Sequence, residues 1–164
     1  MSDNDYEIRA IAPAVLEQLR ERDDAGNAPQ PYVDEEGGAP LRCCLRRGTP
    51  GEKIALVSYA PLRRWARETG ARPGPYVEVG PVFIHPAGCD GWAGDRFPEV
   101  MHGDRRVLRA YSAEGRILGG RLLDGDTVTV DETLAEMYAD PQVAAVHVRF
   151  VEFGCFLLES RRIG

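Results

Sequence analysis

Apolar and polar residues alternate through most of the 164-residue chain, the period-two signature of half-buried strands. Tyr6 to Ile11 reads as a short strand, and Pro13 then opens a helix that carries Val15, Leu16 and Leu19 at helical spacing and ends near Arg22. Residues 23–40 hold Asp34-Glu35-Glu36-Gly37-Gly38 among several prolines, too acidic and turn-rich to build a core, and are expected to form an exposed, poorly anchored loop. From Leu41 to Arg46, Leu41, Cys43 and Leu45 alternate with Arg42, Cys44 and Arg46. As a strand, this segment sets Cys43 among leucines and Cys44 between two arginines. A strand at Ile54 to Tyr59 leads into a connection, Pro61 to Pro75, with a helical turn around Trp65. Tyr76 to His85, apolar on both faces, reads as a central strand that ends on His85.

Beyond that point the pattern is of hairpins. Residues 105–111 and 116–123 flank Ser112-Ala113-Glu114-Gly115, a turn too short for a crossover, so they are expected to pair antiparallel; a second turn follows at Asp124-Gly125-Asp126. Thr129-Val130-Asp131-Glu132 is a capping box for a helix carrying Leu134, Met137 and Tyr138 that must stop before Pro141. Val143–Val151 and Cys155–Arg161 flank Glu152-Phe153-Gly154 as a last hairpin. The fold class is α+β: mainly antiparallel sheet of about seven or eight strands in a meander and hairpins, with two short helices, in a single domain over residues 1–164.

Composition narrows the partners. A formal charge of -6 has the wrong sign for coating nucleic acid or anionic lipid, so neither nucleic acid nor membrane is expected as a partner. No apolar stretch approaches the roughly 20 residues that span a bilayer, and the acidic start of the chain is unlike a signal peptide, which points to the cytoplasm. In that reducing compartment Cys43, Cys44, Cys89 and Cys155 are expected as free thiols or ligands rather than disulfides.

The chain lacks G-x-S-x-G, H-E-x-x-H, a Walker loop and a dinucleotide fingerprint. What remains is a shortlist of thiols, imidazoles and guanidiniums. Flanking arginines would favour the Cys44 thiolate and make it a nucleophile, with His85 as general base and Cys89, four residues on, as a second thiol. Arg42, Arg109, His147 and Arg149 would line a pocket and hold a small anionic molecule, the guanidiniums gripping a carboxylate or phosphate bidentately. Alternatively Cys44, His85, Cys89 and Cys155 form a structural zinc site, although only one pair of these ligands is close in sequence. A third possibility is a non-catalytic interaction module whose contact surface is the segment 61–75, where Arg63, Arg64, Arg67 and Arg72 surround Trp65.

The ordered set Pro40-Leu41-Arg42-Cys43-Cys44-Leu45-Arg46, Gly51-Glu52, Ser58-Tyr59-Ala60-Pro61, Gly80-Pro81-Val82-Phe83-Ile84-His85 with Cys89, Arg109-Ala110-Tyr111, Val146-His147-Val148-Arg149 and Gly154-Cys155-Phe156 resembles the bacterial domain of unknown function 1203 family, from about residue 40 to the C-terminus. The resemblance implies a small bacterial protein and carries no established activity. In this chain Leu41 occupies a position where the family commonly has a cysteine, a departure that weighs against a mechanism needing two cysteines two residues apart.

Overall fold

The computed structural model describes residues 4–101, 105–124 and 129–164. Its strands are β1 (Tyr6–Arg9), β2 (Tyr32–Asp34), β3 (Pro40–Leu41), β4 (Arg46–Arg47), β5 (Glu52–Tyr59), β6 (Gly80–Ile84), β7 (Arg106–Tyr111), β8 (Ile117–Leu123), β9 (Ala145–Phe150) and β10 (Phe156–Arg162). The helices are α1 (Pro13–Glu21), α2 (Pro61–Thr69) and α3 (Val130–Tyr138). No helix among the described residues is long and apolar enough to cross a membrane.

The first sheet has the order β1-β10-β9-β7-β8, antiparallel throughout. The second runs β2-β5-β6-β3-β4 and is antiparallel except where β3 meets β6 through the single parallel pair Leu41 and Phe83. Both expected hairpins form, β7 with β8 and β9 with β10. The capping box also works as read, the Thr129 hydroxyl accepting the Glu132 backbone N–H at 3.1 Å. The turn expected at Asp124-Gly125-Asp126 falls largely outside the described residues.

Register explains the core. In the β7–β9 pair, Leu108 faces Val148 and Ala110 faces Val146, and these side chains bury against Leu134, Met137 and Tyr138 of α3. The alternate residues, Arg109 opposite His147 and Val107 opposite Arg149, turn to the other face. A second core lies between α1, through Leu16 and Leu19, and Ile54, Val57, Val82 and Ile84 of the second sheet.

Four expectations are corrected here. Residues 42–45 are a turn, not part of a six-residue strand: β3 and β4 have two residues each, the Leu45 N–H bonds the Leu41 carbonyl at 2.9 Å, and Leu45 takes a left-handed φ of 54°. The central strand before His85 is shortened to Gly80–Ile84, with a 3-10 turn at Gly74–Tyr76 ahead of it. The turn around Trp65 is a full nine-residue helix, α2, in which Trp65 is buried beside Leu62, Tyr111 and Ala145 rather than displayed. Residues 23–40 contain no buried residue but are well tied: Asp23 accepts the Ser58 N–H at 3.0 Å, Asp24 pairs with Arg64 at 2.8 Å, and β2 joins the sheet.

Candidate metal centre

The turn between β3 and β4 determines the site. A strand would have sent Cys43 and Cys44 to opposite faces, but the left-handed residue at Leu45 folds the tip back so that both thiols point to one place, with Sγ atoms 3.9 Å apart. His85, the residue after β6, brings its Nδ1 to 3.3 Å from Cys43 Sγ and 3.8 Å from Cys44 Sγ. Cys89 completes the group: all four donor atoms lie within 4.8 Å of one another. Cys43, Cys44 and His85 are buried and Cys89 is half-buried.

The separations among Cys43, Cys44 and His85 are close to those of a coordination tetrahedron, and Cys89 lies near enough to close it. Donors about 2.3 Å (sulfur) and 2.0 Å (nitrogen) from a central zinc stand roughly 3.8 Å apart for two sulfurs and 3.5 Å for sulfur and nitrogen. Three thiolates and one imidazole suit zinc and exclude calcium and magnesium, which take oxygen ligands.

The surroundings favour the same state. The His85 backbone N–H donates to Cys43 Sγ at 3.3 Å, and the Arg46 N–H bonds Cys44. Nδ1 is turned to the thiols, and the other ring nitrogen of His85 lies 3.4 Å from Glu52 Oε2 and 3.3 Å from Arg46 Nη2; with a metal on Nδ1 it would carry the proton and donate to Glu52, the carboxylate support that metal-bound imidazoles usually have. Glu52 is itself held by Arg46, with Nη2 at 2.6 Å from Oε1, and this guanidinium keeps its carboxyl down to about 2. Cys44 is lowered to about 6, first by hydrogen bonding from the Cys43 thiol and then, against the opposing effect of burial, by the Arg46 N–H and the nearby His85; the Cys43 thiol is correspondingly pushed up.

Of the residues singled out in the sequence, Cys44, His85 and Cys89 therefore meet. Cys155 does not join them, and its place as fourth donor is taken by Cys43, which strand parity had set apart as inert. Cys155 instead receives a hydrogen bond from Arg42 Nη2 at 3.2 Å. Arg42 is buried and spends its other nitrogens on the Phe156 carbonyl at 2.8 Å and the Pro40 carbonyl at 2.6 Å, so the guanidinium beside Cys44 is that of Arg46. Glu52 stands in the sequence only within the motif Gly51-Glu52, where nothing but its position after a turn marks it for a role at the site.

The remaining ligand-binding candidates gather on the first sheet. Arg109 and Arg149 share a face as expected and do grip a carboxylate, but it is the chain's own: Glu78 lies 2.7 Å from Arg109 Nη1 and 3.0 Å from Arg149 Nη2. His147 is buried between Tyr111 and Phe156 and bonds Glu159 at 2.9 Å. On the α2 segment, Arg64 and Arg63 are both bound to Asp24.

No curated protein and no solved structure matches this chain. One family model does match, over residues 38–162, and its description, protein of unknown function, assigns no activity. That span takes in the turn at residues 42–45, His85, Cys89 and every strand from β3 to β10, and the chain therefore belongs to the DUF1203 family.

Proposed function

We propose that this protein binds one zinc ion through Cys43, Cys44, His85 and Cys89. The observation that carries the reading is the convergence of three thiols and Nδ1 within 4.8 Å, at spacings that fit a tetrahedron. Four protein donors fill the coordination shell and leave no position for a water, which makes the role structural: the ion would tie the β3–β4 turn to the end of β6 and to the loop carrying Cys89. Protein purified under reducing conditions should contain about one zinc per chain by elemental analysis, and a strong chelator should lower its melting temperature, because binding energy at such a site is folding energy. Chain that carries no zinc after incubation with the ion and melts unchanged with chelator would remove the reading.

A second reading, thiol chemistry at Cys44, is supported by its lowered pKa and by His85 at 3.8 Å. It requires the thiol to be free in the working protein. Alkylation of Cys44 with a midpoint near pH 6 in protein as purified would favour this reading, whereas protection of Cys44 that chelator relieves would favour zinc.

A further inference from the structure

Beside the metal centre lies a cleft of about 400 Å³, walled by α1 and the chain leading into it on one side and by Cys43, Cys89 and Trp92 on the other. That volume is in the usual range for a small-molecule site. Its chemistry is uneven in an informative way. Ile8, Ile11 and Leu16 supply aliphatic walls, and two side chains that also line the cleft carry buried donors with no acceptor among the described residues, Arg20 Nη2 and Trp92 Nε1. A buried donor left without a partner has lost its hydrogen bonds to water with nothing in exchange, a cost that is larger when the group is charged. One such donor on each side of the cleft is therefore an unmet demand for acceptors.

We propose that this cleft binds a small monocarboxylic acid with an aliphatic body, its two oxygens accepting from Arg20 and Trp92. The proposal goes beyond the metal reading and does not depend on it. An ionised carboxylate is acceptor-only and has two oxygens to offer, one for each orphan nitrogen. A single negative charge also matches the local balance better than a dianion. Arg9 of the cleft pairs with Glu7 at 3.7 Å and Asp90 at its exposed edge disfavours a second negative charge on the ligand, while Arg20 makes no ion pair with a carboxylate among the described residues. Arg20 is already oriented, since its Nε donates to the His85 carbonyl at 3.0 Å.

Both orphan nitrogens are shut off from water, so the acid reaches them only as the indole shifts. Trp92 stands in a glycine-flanked loop, between Gly91, with a left-handed φ of 78°, and Gly94, where an added Cβ would lie 2.2 Å from the ring.

The test is titration of the whole zinc-equilibrated chain with isovalerate, followed by the indole N–H resonances of its two tryptophans. The Trp92 resonance, assigned with Trp92→Phe, should move saturably while that of buried Trp65 stays. Isovaleramide, which lacks the charge, should bind at least about tenfold more weakly, and Arg20→Met should weaken isovalerate by a similar factor, the loss expected for one charge-assisted hydrogen bond. Amide dispersion and zinc content establish that each variant is folded, and Arg20→Lys, which keeps the charge without the fork, should lie between Met and wild type. An unmoved Trp92 resonance, equal binding by the amide, or inorganic phosphate outcompeting isovalerate would each overturn the proposal. Zinc content in the same samples separates the two readings: binding without zinc refutes only the metal centre, and zinc without binding refutes only the carboxylate site.

Discussion

Replacing Arg42 by Met separates two roles for this arginine. If it tuned Cys44, as its neighbouring position in the sequence suggests, Arg42→Met would change thiol reactivity and leave stability alone. The structure assigns it the opposite role. Its guanidinium is buried and joins the β3–β4 turn to β10 by bonds to the Pro40 and Phe156 carbonyls and to Cys155 Sγ. Met keeps the apolar stem but strands two carbonyls and a thiol. Each stranded carbonyl costs on the order of 1 to 3 kcal/mol, a total of about 2 to 6. Against this, the variant no longer buries a guanidinium that burial already disfavours and that no carboxylate compensates. The carbonyls outweigh the relief, since their bonds to Arg42 are short, leaving a net loss of about 2 to 4 kcal/mol, or roughly 4 to 16 °C of melting temperature for a chain of this size. Thermal unfolding by circular dichroism measures it, and zinc content at low temperature should be unchanged because Arg42 touches no donor. A melting temperature within about 2 °C of wild type, or loss of zinc from folded protein, would refute the reasoning.

Cys43→Ser should abolish stoichiometric zinc binding while Cys155→Ser retains it, and elemental analysis that found the reverse would restore the donor set read from sequence. Glu52→Gln keeps the shape but weakens the hydrogen bond that orients His85, so zinc affinity measured by competition with a chromophoric chelator should fall about 10- to 100-fold. The carboxyl of Glu159 is nearly fully buried, and burial alone would raise it, but the His147 hydrogen bond and the Arg161 guanidinium hold it below its ordinary range. A carboxyl lowered by folding contributes stability that is present above its unfolded value of about 4.3 and lost as pH falls through its folded value. Urea unfolding should therefore show acid destabilisation beginning below about pH 4.3, and Glu159→Gln should flatten that slope while costing about 3 to 5 kcal/mol at neutral pH.

What could be read in the sequence follows from how local each signal is. The Thr129 cap and the two hairpins are set by residues within a few positions of one another, and they form as expected. α2 was also legible in principle: Pro61 opens it, Leu62 and Trp65 repeat at helical spacing, and Gly70 closes it in the left-handed conformation, but three arginines among its nine residues disguised the apolar stripe. The turn at residues 42–45 was not legible. It contains no Gly, Pro, Asn or Asp, and its left-handed position is filled by a leucine at a cost of about 1 to 2 kcal/mol. Six alternating residues suit one strand as well as two short ones joined by such a turn, so the parity argument that separated Cys43 from Cys44 had nothing local to contradict it. Cys155 and Glu78 show the other limit. Their partners, Arg42 and the pair Arg109 and Arg149, lie far along the chain, and only the closed sheets reveal that the chain satisfies these cations from within.

The placement of the metal centre in the second sheet has a physical logic. β5 and β6 share five registered pairs, whereas β3 holds to β6 through one pair and to β4 through two. Ladders this short contribute few hydrogen bonds, and residues 40–47 gain little else from the backbone except the Leu45 N–H to the Leu41 carbonyl at 2.9 Å, the Arg42 N–H to the Phe83 carbonyl at 2.9 Å and the Ile11 N–H to the Arg42 carbonyl at 3.0 Å. The strained Leu45 works against them. A tetrahedral ion on Cys43 and Cys44 at the tip, with His85 and Cys89 from the far end of β6, would supply the cross-link where the sheet is weakest and would hold the left-handed turn closed. The same cross-link would anchor the chain at Cys89, at the start of the loop that carries Trp92 beside the cleft. A site that merely displayed a reactive thiol would need only Cys44 and a base; four converging donors at the thinnest ladder in the fold are better explained by an ion that completes the sheet.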